Sequence, residues 1–250
     1  MPDTGSETRG DGAANPTRAT AVTAPASRAG LRTRDIVLGM SDGLTVPFAL
    51  AAGVSGAVHT RTVVLVAGCA ELAAGAISMG LGGYLAALSD LDIYHRALRQ
   101  ERREVVEVPD EERLEVRQIL QDYGLDGHVL DSAVEALTSN TETWVQFMMR
   151  EEHGLERPAP SEHVRSGTTV GVSYLAGGVV PLLPYLLPLT IPEALGLSAA
   201  VTLAVLLAFG WVKGRLTGVA PLRSALQSAL VGGLAAGVAF ALARAIAGVA

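Results

Sequence analysis

Five stretches of this chain stay apolar for longer than the core of an ordinary globular domain requires. The first runs from Ile36 to Val58 with Asp42 as its only charge, and the second from Thr62 to about Leu88 with only Glu71 interrupting it. Three more follow, Thr168 to Leu189, Ala194 to Val212 and Ala225 to Ala247. At about 1.5 Å of rise per residue the first reaches ~30 Å, the thickness of a bilayer's hydrocarbon core. The pattern predicts five membrane-spanning helices.

Between the second and third stretches the pattern turns polar but stays helical. No Gly or Pro interrupts Leu85 to Val108, so the second span is predicted to continue as a stalk until Pro109 stops it. A helix is predicted from an Asp110 N-cap to Asp122, with Gly124 as its terminator. Another is expected from Asp126 to about Leu137, and a fourth from Ser139 or Asn140 to Gly154, before a linker holding Pro158 and Pro160. Residues 1–30 are rich in Thr, Ala, Gly, Pro and Ser and lack the apolar core of a signal peptide, so they read as a disordered, uncleaved tail. The expected architecture is an all-α membrane protein: tail 1–30, helices 1 and 2 in 31–90, a cytoplasmic helical metal-binding domain in 91–165, and helices 3 to 5 in 166–250.

Charge gives the direction. Only 18% of residues are charged, against the quarter usual in soluble domains. The net charge of -6 is concentrated between Ser89 and Arg165, where 18 acidic residues face 9 basic ones. An acidic insert in an apolar chain excludes nucleic acid as a partner, because phosphate binding needs a basic surface. Arg28, Arg32 and Arg34 precede the first span, and Lys213, Arg215 and Arg223 lie between the fourth and fifth. The positive-inside rule then places the N-terminus and the insert in the cytoplasm and the C-terminus outside. Eighteen Arg against one Lys, with heavy use of Ala, Gly and Val, points to a GC-rich bacterial genome and so to an inner membrane.

Asp42 and Glu71 lie where an ionisable group costs at least ~2.5 kcal/mol. Asp42 falls about 10 Å above the inner end of its span, and Glu71 about 14 Å below the outer end of the second. Met79, two turns beyond Glu71, falls near the cytoplasmic mouth. Glu71, Gly75 and Met79 recur every four residues and share a face, so Asp42, Glu71 and Met79 can line one route. A structural hydrogen bond between helices is the plainer account of the carboxylates, as packing is of Met79 alone. Small residues at Gly68, Gly75 and Gly82 would admit a neighbouring helix closely, Pro47 is expected to loosen the first span, and Gly177, Gly178, Pro181, Pro184 and Pro188 the third.

In the insert, Glu101 and Glu104 share one helix face, as do Glu112 and Glu115. Arg102, Arg103, Arg113 and Arg117 offer the alternative of a salt-bridged surface. Met148, Met149 and Glu152 follow on the fourth helix, and glutamate oxygens beside a thioether suit a divalent ion of intermediate softness such as Fe(II).

The runs Asp42-Gly43-Leu44-Thr45-Val46-Pro47-Phe48 and Glu71-Leu72-Ala73-Ala74-Gly75-Ala76-Ile77-Ser78-Met79, the 177–185 run Gly-Gly-Val-Val-Pro-Leu-Leu-Pro-Tyr and the Met148-Met149 pair resemble the vacuolar iron transporter family, in the right order from about Arg34 to Ala247. The resemblance implies a homodimer of five-span subunits that exchanges Fe(II), and often Mn(II), for protons along a route at the dimer interface between the first two spans. Position by position it implies translocation residues Asp42, Glu71 and Met79, and metal-binding residues Glu101, Glu104, Glu112, Glu115 and Glu152, with Met148 and Met149 beside them. Glu151 stands where an apolar residue is expected, either as an added ligand or as a surface charge. No tightly bound cofactor is implied, Fe2+ or Mn2+ being the transported substrate, and no enzymatic activity is expected. The alternative from another class is a membrane-tethered ferroxidase or iron store. Di-iron bundles use Glu-x-x-His, and the nearest approach here is a lone Asp92-x-x-His95.

Overall fold

In the computed structural model, residues 28–58 and 60–248 are described, and they form eight α-helices joined by short turns. α1 (Arg28–Ala57), α2 (Arg61–Glu107), α6 (Glu162–Leu182), α7 (Ile191–Thr217) and α8 (Pro221–Ala247) contain the five apolar stretches, and all five are long and apolar enough to cross a membrane. α3 (Pro109–Asp122), α4 (Gly127–Thr138) and α5 (Thr141–Glu151) make up the polar part between α2 and α6. The chain divides into two compact units, Asp110–Glu156 on one hand and residues 28–109 with 157–248 on the other. Residues 1–27 of the expected tail lie outside the described residues, while residues 28–30 are already helix.

Several boundaries differ from the sequence reading for local reasons. Pro109 begins α3 rather than merely ending α2, because the first turn of a helix has no use for the missing N–H. Asp110 therefore sits in the first turn, where its charge favours the positive helix end, instead of capping it. Asn140 does cap α5, its Oδ1 accepting the Thr143 N–H at 3.0 Å, but that helix stops at Glu151, three residues before Gly154. Pro47 and Pro181 sit inside continuous helices, so neither breaks its span. The third span instead gives way at Leu183–Leu186 to a 3₁₀ turn around Pro184. There the Ser198 hydroxyl donates to the Pro181 carbonyl at 2.7 Å, satisfying a backbone group that lipid could not. A capping box of Thr190 and Glu193 opens α7, and Gly218 at φ 72° ends it.

Within the larger unit the helices meet along small residues. A Cβ on Gly39 of α1 would overlap the Val170 carbonyl of α6, and one on Gly43 would overlap the Tyr174 carbonyl. These contacts run in the same order along both chains, so α1 and α6 are parallel. Gly80 of α2 meets Gly167 and Gly68 meets Leu182, so α2 and α6 are antiparallel. Gly210 meets Ser224 while Gly232 meets Leu206, which makes α7 and α8 antiparallel as well. One end of the bundle therefore holds the starts of α1, α6 and α8 together with the end of α7. Without a hydrophobic drive between helices in lipid, such close backbone contact is what holds spans together.

In the smaller unit Val116, Leu120, Leu130, Val134, Trp144, Val145, Met148 and Met149 are buried. The Arg113 guanidinium lies over the Trp144 ring, 5.6 Å from its centroid, and Arg117 pairs with Asp131 at 2.7 Å.

Candidate metal-translocation site

The Glu71 carboxylate meets a residue that the sequence pattern does not single out. Tyr174, 2% exposed, projects from α6 and donates its hydroxyl to Glu71 Oε1. Gly75, one turn beyond Glu71 on the same face of α2, makes room for that phenol, since a Cβ there would overlap it. Glu71 Oε2 is buried and has no hydrogen-bond partner. One oxygen of the carboxylate is thus fixed and the other is turned into the protein with nothing to hold it. A buried polar atom in that state costs free energy unless a proton or cation satisfies it.

Asp42 is half-buried on α1, next to the Gly43 that packs on the Tyr174 backbone. Met79 is half-buried two turns from Glu71. Toward the other end of the bundle the Tyr185 and Ser55 hydroxyls are 2.9 Å apart, and Arg61 donates to the Leu187 carbonyl. Those two contacts tie the 3₁₀ turn after α6 and the residue that follows it to α1 and α2.

The paired glutamates do not share environments as the helical spacing led us to expect. On the extension of α2, Glu101 is fully buried and Glu104 half-buried, with Gln100 Nε2 donating to Glu104 Oε1 at 3.1 Å. In the smaller unit Glu112 is buried at 6% exposure while Glu115 is exposed. Met148 and Met149 are core residues there, and Glu152 is an exposed residue at the C-terminal cap of α5. Glu151 accepts the Tyr123 hydroxyl at 2.5 Å and the Arg150 Nε–H at 2.9 Å. Its carboxylate is engaged in clamping the end of α5 to the end of α3, which answers to a structural role better than to a ligand. The Tyr123 hydrogen bond holds Glu151 below the usual carboxylate range, helped by Arg150 and opposed by burial.

Five helices long and apolar enough to cross a membrane, with a tyrosine of one hydrogen-bonded to a carboxylate of another, define the class of polytopic helical membrane proteins. Residues 33–244 match the VIT family, and the chain belongs to it. It is 54% identical over 159 residues to "Vacuolar iron transporter 1" of Arabidopsis thaliana, covering 64% of each protein. It is 41% identical over 153 residues to "Protein CCC1" of Saccharomyces cerevisiae, covering 60% of this chain and 47% of that one. "Vacuolar iron transporter cccA" of Arthroderma benhamiae is 38% identical over 153 residues, 61% of this chain and 54% of that one. The matched region thus spans less than two thirds of these relatives' length. Two of the three names describe transport of iron and none describes its oxidation, so the ferroxidase alternative gains nothing from them. All three organisms are plants or fungi, and the bacterial origin read from composition gains no support.

Proposed function

We propose that the chain carries Fe(II), and secondarily Mn(II), out of the cytoplasm in exchange for protons. The observation that carries this reading is Glu71, with one oxygen fixed by Tyr174 and the other buried and unsatisfied. Such a group accepts either a proton or a cation, and it must lose the first to hold the second. Mutual exclusion of this kind couples two fluxes without any further device. Met79 and Asp42 take metal at the cytoplasmic mouth and pass it to Glu71, whose proton arrives from the opposite side.

Glu101, Glu104, Glu112, Glu115, Met148, Met149 and Glu152 collect metal ahead of that step. The burial of Glu101 and Glu112 supports this, since a carboxylate away from water is best compensated by positive charge. The N-terminus and the unit Asp110–Glu156 are cytoplasmic and the C-terminus is outside. The crowding of Arg32, Arg34, Arg165, Lys213, Arg215 and Arg223 at one end of the bundle supports that orientation. A bacterial source would make the membrane the inner membrane.

A homodimer fits the uncovered face of α2, where Val66, Ile77, Leu81 and Leu85 are each more than half exposed and Ala70, Ala73 and Gly82 leave room for a second helix. The testing experiment is metal flux by the full chain in proteoliposomes, compared for Fe(II), Mn(II), Co(II) and Zn(II) with an internal pH indicator. Fe(II) should move fastest and Mn(II) next, each with counter-movement of protons. Equal rates for all four, or no metal-dependent proton signal, would refute the reading.

A further inference from the structure

Where the start of α1 faces the end of α7 there is an open groove of about 700 Å³ that the transport site does not use. Its walls change character along their length. Val37 and Leu38 of α1 and Leu216 of α7 form an apolar part, and Leu38 and Leu216 are 43% and 65% exposed. Arg34, Thr33 and Thr217 form a polar part. In an aqueous protein such a groove would waste apolar surface, but at the edge of a membrane bundle it meets acyl chains.

Charge specifies the other half of the occupant. Arg32 and Arg34 on α1 and Lys213 and Arg215 on α7 surround the groove's polar part in sequence, against Asp35 as the single acidic residue in the first turns of α1 and none in the last turns of α7. Arg215 is held by stacking over the Trp211 ring, 5.7 Å from its centroid, and Trp211 is 42% exposed. A half-exposed Trp beside a cation at the end of a span marks the headgroup level of a bilayer. Basic pockets between spans at that level recognise anionic headgroups.

We propose that this groove binds a phospholipid with a net negative headgroup, its phosphate held by Arg34 with the Thr33 and Thr217 side chains close by and an acyl chain lying along Val37, Leu38 and Leu216. A zwitterionic lipid offers the same chains but no net charge for the cations, and free phosphate offers the charge but nothing for the apolar wall. The site is built from the ends of α1 and α7, and it stands or falls independently of metal transport.

The test uses the purified full chain in neutral detergent with equal amounts of phosphatidylglycerol and phosphatidylcholine, retained lipid being counted by native mass spectrometry. The wild type should retain phosphatidylglycerol preferentially, and Arg34→Gln should lower that retention about fivefold, as one cation near a lipid surface contributes. Val37→Trp, which fills the apolar part and keeps every charge, should also lower it, and Arg244→Gln at the other end of the bundle should not. Equal retention of the two lipids, wild-type retention in both Arg34→Gln and Val37→Trp, or displacement by millimolar inorganic phosphate would overturn the proposal.

Discussion

Tyr174 and Glu71 are 103 residues apart in sequence, yet the phenol of one is hydrogen-bonded to the carboxylate of the other inside the bundle. The contact fixes where the carboxylate points and joins α2 to α6. Tyr174→Phe keeps the ring and removes only the donor. It should lower the stability of the purified chain by roughly 1–3 kcal/mol, the cost of orphaning a buried acceptor, and reduce metal flux. Thermal unfolding and a flux assay read the two effects, and wild-type values in both would show the bond to be incidental.

Gly75 and Gly82 lie on one helix two turns apart and should respond oppositely to the same methyl group. At Gly75 a Cβ would overlap the Tyr174 phenol, whereas at Gly82 it would meet nothing within 4 Å. Gly75→Ala is therefore expected to destabilise the chain by about 1–3 kcal/mol and to depress flux, while Gly82→Ala leaves the fold intact. A bulky Gly82→Leu should separate the proposed dimer into folded monomers. Sedimentation would detect this, and an undisturbed assembly would remove α2's open face as the interface.

The sequence carried the five spans because uninterrupted apolar runs are dictated locally, and it carried the start of α5 at Asn140 for the same reason, whereas the Thr190 capping box went unread. It carried the closeness of Gly68 and Gly75 to another helix, though Gly82 proved to face open space. Tyr174 was not legible, since a Tyr in an apolar run has no periodic signature and its partner lies on a helix that only the folded bundle brings near. The unequal burial of Glu112 and Glu115 was hidden likewise: i,i+3 spacing shows that two residues are neighbours and not how far the covering surface extends. Of the prolines expected to loosen their spans, those at 47 and 181 lie inside continuous helices, and Pro184 lies where the third span gives way to a 3₁₀ turn.

The Tyr123–Glu151 clamp has a pH signature. Because Glu151 titrates lower when folded than its ordinary value of 4.5, it contributes stability that is present above that value and lost as the pH falls through the folded-state pKa. Tyr123→Phe should therefore unfold at a lower temperature than wild type near neutral pH, and the difference should vanish once the pH has fallen below the folded-state pKa of Glu151. Calorimetry across that range checks it, and a difference that persists in acid would assign the effect to packing of the ring.

If the glutamates collect metal together, removing two should weaken capture without closing the membrane route. The full chain carrying Glu101→Ala and Glu104→Ala should bind Fe(II) more weakly, since a divalent ion needs several oxygens at once, and should retain transport at high metal concentration. Wild-type affinity would leave these side chains with no part in binding.

The central claim is that the intramembrane carboxylates hold metal and proton alternately. Simultaneous recording of Fe(II) and proton movement in proteoliposomes, for wild type beside Asp42→Asn and Glu71→Gln, tests it most directly, because each amide keeps the side-chain shape and loses both the anionic ligand and the proton site. Opposed metal and proton fluxes should appear in the wild type and both should disappear in each folded variant. Wild-type metal flux in either variant, or wild-type metal flux with no accompanying proton movement, would contradict the account.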